Sequence, residues 1–388
     1  MTARTGFGSG SGSGARAGSG AGAGAGSGYK AGAAHVAVVG AGVIGLTTAF
    51  RLALAGHRVS LHATNEATGP SWVAGGMFGA YTEAWPGEEV MLHLGAASLG
   101  RWLPLLEDLE GVPAERSGIL TGKGTVLAGV DAADAADVAS IAETTEAHYP
   151  GVLRPVTRRE LRALEPSLAP VLRGAMVCDD EWSVDNRQLL SKLAGACRDL
   201  GVERDYGKVA DVDELREGTG ADAVVVAAGA GAKDLLGLPI REVKGEVLRL
   251  RQRDSSESRP DRTIRARVHG RPCYLVPRTW GLAVGATEYE HGHDLTPTAG
   301  GTRTLLDDAA TVFPGIEDYT FSEVTAGLRP YSPDNAPFIG TVREGVIAAC
   351  GHGRNGILLA AITADAVLAE IEGAPLPDAA PANPGRLA

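Results

Sequence analysis

Gly40-Ala41-Gly42-Val43-Ile44-Gly45 spells G-x-G-x-x-G. The chemistry open to such a turn is the holding of a pyrophosphate. Gly40 would make the tight turn, Gly42 would let the backbone approach the phosphates, and Gly45 would let a helix pack close to a strand. The N–H groups and positive dipole end of that helix would face the anion. Arg329 stands between Leu328 and Pro330. Its guanidinium can make two parallel charge-assisted bonds to a carboxylate, which Lys cannot. Tyr274 sits in an apolar run, where its hydroxyl needs a partner. His352, between Gly351 and Gly353, reads as a packing residue at a close chain approach rather than as a base. Cys178, Cys197, Cys273 and Cys350 form no C-x-x-C pair, so neither a metal site nor a disulfide scaffold is expected. They read as small buried hydrophobes in a reducing cytoplasm.

The elements around these residues follow from their patterning. Val36-Ala37-Val38-Val39 is an apolar run of the kind that marks a strand buried on both faces. Leu46, Ala49, Phe50 and Ala53 then recur at helical spacing, Gly56 is a plausible stop, and His57–His62 predicts the next strand. Strand, glycine turn, helix, strand is the order of the dinucleotide fold. The acidic residue expected about 20 positions on, for a ribose, is missing. Thr64 and Glu66 are the candidates there. Gly75, Gly76 and Met77 follow in a small-residue stretch fit for close approach to a flat ring or pyrophosphate. Val224–Ala230 predicts another buried strand, running into Gly229. Gly351–Leu359 leads into a helix ending near Glu372. Val247–Arg251 alternates apolar and charged residues, which predicts a half-exposed strand. Tyr274–Arg278 and Leu282–Glu288 predict two more, joined through Thr279-Trp280-Gly281.

The whole chain has 388 residues, a net charge of −11, 44% hydrophobic and 21% charged residues, ordinary values for a globular protein. No Lys/Arg block suggests nucleic acid, and no apolar run approaches the ~18–20 residues of a membrane span. In residues 1–34, Gly, Ala and Ser number 12, 9 and 5, a composition expected to stay disordered.

The chain resembles the D-amino-acid oxidase family of flavoenzymes, most closely its glycine oxidase branch, which is linked to thiamine synthesis. The resembling pieces are Val38–Leu46, Ser71–Met77, Val243–Glu246, Tyr274–Arg278, Val284–Thr287, Ala326–Pro330 and Gly351–Leu359. The resemblance implies an α/β protein in which a Rossmann-like FAD-binding domain (35–80, 175–235 and 330–375) is interleaved with an α+β substrate domain (81–174 and 236–329). The latter would hold a large mixed or antiparallel sheet, and 376–388 would be a C-terminal tail. It implies non-covalent FAD, a small amino acid or amine as substrate and O₂ as acceptor. A hydride would pass from Cα to flavin N5, leaving an imine, with H₂O₂ as the second product. FAD would meet Gly40, Gly42, Val43, Ile44, Gly45, Thr64, Gly75, Gly76, Met77, Gly229, Gly351, His352, Gly353, Arg354, Asn355, Gly356, Ile357 and Leu358. Arg329 would anchor the substrate carboxylate, Tyr274 would add a second bond, and the charge of Arg354 would stabilise the reduced flavin. Homo-oligomers are common in the family.

Two residues depart from the pattern. Glu288 follows Val284–Thr287 where an apolar pocket residue is expected, and Pro272 stands where the family can place a polar one. Glu288 would turn to solvent, pair with Arg354, or meet a second cation on the substrate. Alternatives to a glycine-type oxidase are an oxidase of D-amino acids or of N-methyl or cyclic amino acids, a dehydrogenase with another acceptor, and a flavin-binding protein without catalysis.

Overall fold

Val36, Ala37 and Val38 are wholly buried because parallel strands flank them on both sides. They belong to β1 (His35–Ala41), which is followed by α1 (Val43–Leu54), β2 (Arg58–Glu66), α2 (Pro70–Val73) and β3 (Met77–Phe78). Next come α3 (Glu89–Glu110), β4 (Leu120–Gly129), α4 (Ala132–His148), β5 (Arg154–Pro155), α5 (Arg158–Leu164) and β6 (Arg173–Val184). They lead to α6 (Asn186–Asp199), β7 (Glu203–Asp205), α7 (Val212–Thr219), β8 (Ala223–Val226) and α8 (Ala232–Leu236). Then β9 (Arg241–Arg251), β10 (Thr263–Val268), β11 (Arg271–Arg278) and β12 (Gly281–Gly285) run in succession. After them stand α9 (Ala299–Val312), β13 (Thr320–Tyr331), β14 (Phe338–Arg343), β15 (Val346–Cys350) and α10 (Gly356–Ile371). This computed structural model describes residues 32–254 and 258–387. The segment expected to be disordered therefore lies outside the described residues up to residue 31. Ala34 is already buried and donates its N–H to His57 Nδ1 at 3.1 Å.

Two sheets carry the fold, as expected. The smaller has the order β14-β15-β8-β1-β2-β7, parallel except for β14. Helices α1, α3, α6 and α10 share the core on one of its faces. The larger runs β13-β9-β12-β11-β10-β4-β6-β3, with β5 beside β6, and is antiparallel except where β10 meets β4. Leu248, Leu275 and Val284 on one face of it pack against Leu305, Ala309 and Val312 of α9. Its other face looks towards the smaller sheet.

Three boundaries differ from those expected. β6, with residues 175–184, and the short β3 belong to the larger sheet, not to the nucleotide-binding unit. A strand followed by a helix looks locally like part of a dinucleotide fold; only its pairing with β4 reveals its place. α3 joins the core of the smaller sheet through α10, where Ser98 Oγ and Trp102 Nε1 both donate to Leu358 O at 2.6 and 2.7 Å, and it meets the larger sheet as well, with Trp102 stacked on Phe78 of β3 and Leu92 packed on Leu127 of β4. Residues 376–387 are no loose tail: Ala379 and Ala382 are buried, and Arg386 Nε donates to Asp334 at 2.8 Å.

Candidate functional site

A cavity of about 670 Å³ opens between the two sheets, at the C-terminal ends of β1 and β2. Ligands of open α/β sheets bind at such strand ends. Gly40 holds φ +109°, and a Cβ there would stand 2.4 Å from Ala227 O. A Cβ on Gly45 would meet Gly40 O at 1.8 Å, so α1 can follow β1 this tightly only with glycine in both places. Gly42 has an ordinary extended backbone at the N-cap of α1. Its missing side chain leaves room beside Ser71, whose hydroxyl accepts from Val43 N–H at 3.1 Å.

Most of the expected nucleotide-side residues line this one cavity: Gly40, Gly42, Val43, Ile44, Thr64, Gly75, Gly76, Met77 and Gly229. From the C-terminal segment come His352, Gly353, Arg354, Asn355, Gly356 and Ile357. Gly45 and Gly351 stand behind the lining, Gly351 at φ +76° against Phe338. Leu358 is a core residue. Glu66, one of the two ribose candidates, points elsewhere: its carboxylate accepts from Arg204 Nε at 3.0 Å and from the Tyr206 hydroxyl at 3.1 Å. Thr64 therefore remains as the ribose candidate. His352 is buried and its Nε2 lies 2.9 Å from Thr363 Oγ1. Burial pulls its pKa down to about 3, so it is a neutral packing residue at any ordinary pH.

The larger sheet supplies the opposite wall. Tyr274 of β11 is paired in register with Gly285 of β12, and Arg329 of β13 reaches back over Gly245 of β9. A Cβ on Gly285 would lie 2.2 Å from the Tyr274 hydroxyl, and one on Gly245 would lie 2.4 Å from Arg329 Nη2. Glycines on the two strands between them thus clear a floor across which the long side chains face each other. Arg329 is 17% exposed, and Nη1 donates to Thr287 O at 3.2 Å. Burial raises the Tyr274 pKa despite the opposing effect of Arg329, Arg249, Arg265 and Arg278, so the hydroxyl stays protonated and can donate.

Some of the wall was not legible beforehand. Arg249 of the supposedly half-exposed Val247–Arg251 strand is buried and donates to Trp72 O at 3.1 Å; the 71–74 segment covers that face. β12 ends at Gly285, short of Glu288. Glu288 lines the cavity and meets Arg329 Nη1 at 3.5 Å, not Arg354. Arg354 is no free charge. Its Nε donates to Glu83 Oε2 at 3.1 Å and its Nη2 to Glu88. Glu83 is also paired with Arg265 of β10. Burial alone would raise the Glu83 pKa, but Arg265 and Arg354 outweigh it and hold the carboxyl below its ordinary value.

The sequence profile described as "DAO: FAD dependent oxidoreductase" matches residues 35–370. The chain belongs to this family. It is 33% identical over 348 residues to the "Bifunctional protein ThiO/ThiG" of Synechocystis sp., a match covering 85% of this chain and 50% of that one. It thus spans about half the length of the bifunctional relatives it matches. It is also 33% identical over 358 residues to the "Glycine oxidase" of Geobacillus kaustophilus, covering 84% of this chain and 90% of that one. The crystal structure of glycine oxidase from Geobacillus kaustophilus superposes with a TM-score of 0.80 at 31% identity, over 91% of this chain and 99% of that one. The residues present fit the FAD of this FAD-dependent oxidoreductase family. The turn is glycine where a Cβ would collide with its own backbone, and the cavity continues unbroken from that turn to Tyr274 and Arg329.

Proposed function

We propose that the protein is an FAD-dependent oxidase of glycine or a related small amino acid, with O₂ as the electron acceptor. The observation that carries this reading is the facing pair, Arg329 and Tyr274, across a glycine floor in the same cavity as the β1–α1 turn. The turn Gly40–Ile44 would hold the pyrophosphate of a non-covalent FAD, Thr64 the ribose side, and Gly75–Met77 with Gly353–Ile357 the walls nearer the substrate. Arg329 binds the substrate α-carboxylate as an ion pair, and the protonated Tyr274 hydroxyl donates a second bond to it. Two fixed points on one carboxylate set the direction of Cα, where small misplacements are costly. No base is assigned: His352 is neutral and engaged with Thr363, so the amine arrives as the free base from solution. FAD, when bound there, would supply the two-electron oxidation of the Cα–N bond, with O₂ as the final acceptor giving H₂O₂. The amino acid leaves as an imine, which water hydrolyses to the oxo acid and ammonia. The similarity to the proteins named glycine oxidase supports the small substrate, and that to the "Putative thiamine biosynthesis oxidoreductase ThiO" of Rhizobium etli (32% identical over 332 residues) supports a role in thiamine synthesis. Among the described residues no helix is long and apolar enough to cross a membrane. The reading is of a cytoplasmic enzyme.

The deciding experiment is a peroxide assay on flavin-loaded protein with glycine, sarcosine, D-alanine, D-proline and basic D-amino acids. Stoichiometric H₂O₂ from at least one is expected. Turnover with an artificial dye but no peroxide would make the protein a dehydrogenase, and no turnover with either would overturn the amino-acid reading.

A further inference from the structure

We infer that Glu288 is a charge filter in the substrate site: it admits amino acids whose remaining part is neutral or cationic and rejects those bearing a second carboxylate. The inference rests on Arg329 being the α-carboxylate anchor.

Glu288 is held in place rather than waving on a loop. On one side Thr287 Oγ1 accepts from Glu246 N–H at 3.0 Å. On the other, Tyr289 exchanges both backbone hydrogen bonds with Lys244, at 2.8 and 2.9 Å. Both partners lie on β9, whose Gly245 forms the floor under Arg329. The Glu288 side chain is 51% exposed at the cavity wall, with Oε1 3.5 Å from Arg329 Nη1. Nη1 is shared with Thr287 O, while Nε and Nη2 have no hydrogen-bond partner among the described residues. A substrate carboxylate thus finds an open edge of the guanidinium with a fixed anion beside it.

The other arginines of the cavity offer nothing to a second carboxylate. Arg265 is paired with Glu83, and Arg354 with Glu83 and Glu88. With the other two arginines of the lining matched by glutamates, a second negative charge on the ligand meets Glu288 with no unpaired arginine of the lining beside it, and the lining's Lys208 follows β7 at the edge of the smaller sheet. Like-charge juxtaposition is how a site rejects the wrong partner.

The test compares D-asparagine with D-aspartate, which are nearly isosteric and differ by one negative charge. D-2,4-diaminobutyrate serves as the cationic member. Each is titrated into flavin-loaded wild type and Glu288→Gln, with the flavin absorbance reporting binding, so the result does not depend on turnover. Equal flavin content and Tm show that the substitution leaves the fold intact. Removing the Arg329 neighbour strengthens every carboxylate alike, so the ratio between ligands is the readout. The wild type is expected to prefer asparagine over aspartate by roughly 10-fold or more. In Glu288→Gln that ratio collapses towards 1, and the advantage of diaminobutyrate falls with it. An unchanged ratio, or aspartate failing to bind either protein, overturns the inference and leaves Glu288 as a solvated surface pair. Failure of the oxidase reading shows separately, as absence of turnover with any amino acid.

Discussion

A Cβ on Gly245 would stand 2.4 Å from Arg329 Nη2, so the guanidinium occupies space that any other residue would fill. That space, and the open Nε and Nη2, make Arg329 suited to hold a carboxylate. Arg329→Ala is expected to keep its flavin but to lose at least ~10²-fold in kcat/KM on the best substrate, because a desolvated carboxylate loses its partner. Arg329→Lys should recover only part, lacking the planar fork. Steady-state peroxide kinetics check both; wild-type kcat/KM in the Ala variant would put the anchor elsewhere. Tyr274→Phe removes one donor to a charged group and is expected to raise KM by about 10-fold, with flavin content unchanged. Arg329 and Tyr274 were legible in the sequence because each sits inside a short recognisable run. Glu83 and Arg265 were not. Each is an ordinary charged residue until β10 and the 82–88 loop meet. Glu66 misled for a related reason: it has the right type and spacing for a ribose, but Arg204, far along the chain, claims its carboxylate.

At the scale of elements, the three glycines of the first turn do different work. Gly40, in a positive-φ turn, lets the chain pass close to Ala227 beyond β8, and Gly45 lets α1 touch β1. Gly42 keeps clear the space above them. Gly45→Ala drives a Cβ into Gly40 O and is expected to destabilise even the flavin-free protein, by about 1–3 kcal/mol or more. Gly42→Val has only Ser71 Oγ nearby, at 3.2 Å, so the flavin-free fold should survive while the branched side chain blocks the pyrophosphate. Thermal unfolding of apo-protein and flavin content of purified protein separate the two. Full flavin retention in Gly42→Val would make the turn structural only. This strand–turn–helix unit was readable because its glycine spacing and hydrophobic periods lie in one short run, even though β8 and Ser71 also touch it. β6 was not, since its sheet is decided by pairing with β4, and Arg249 looked half-exposed because the segment that buries it, 71–74, is remote in sequence.

Across the whole molecule, the two sheets are joined at the cavity through a half-buried carboxylate. Glu83 pairs with Arg265 of the larger sheet and with Arg354 at the head of α10, which packs beside the smaller sheet. Glu83→Gln keeps the shape but removes the shared anion, leaving Arg265 without its carboxylate and Arg354 with Glu88 alone. Breaking a fully buried pair costs about 3–5 kcal/mol, and the partial exposure of these groups, with Glu88 still on Arg354, puts the expected loss at or below the lower end of that range. Denaturant unfolding of flavin-loaded protein at pH 7 should show a loss of that order. The sign with pH follows from the lowered carboxyl pKa. A depressed folded-state value means that the stabilisation is fully present above the ordinary value of 4.5 and is lost as pH falls through the lower folded value. Glutamine cannot titrate at this position. The stability gap between wild type and Glu83→Gln should therefore be complete at neutral pH and should narrow only as the pH drops well below 4.5. A gap that is absent at pH 7, or one that stays constant down to the acid limit of the fold, would mean that the Glu83 charge does not hold the sheets together and that the remaining polar and apolar contacts do.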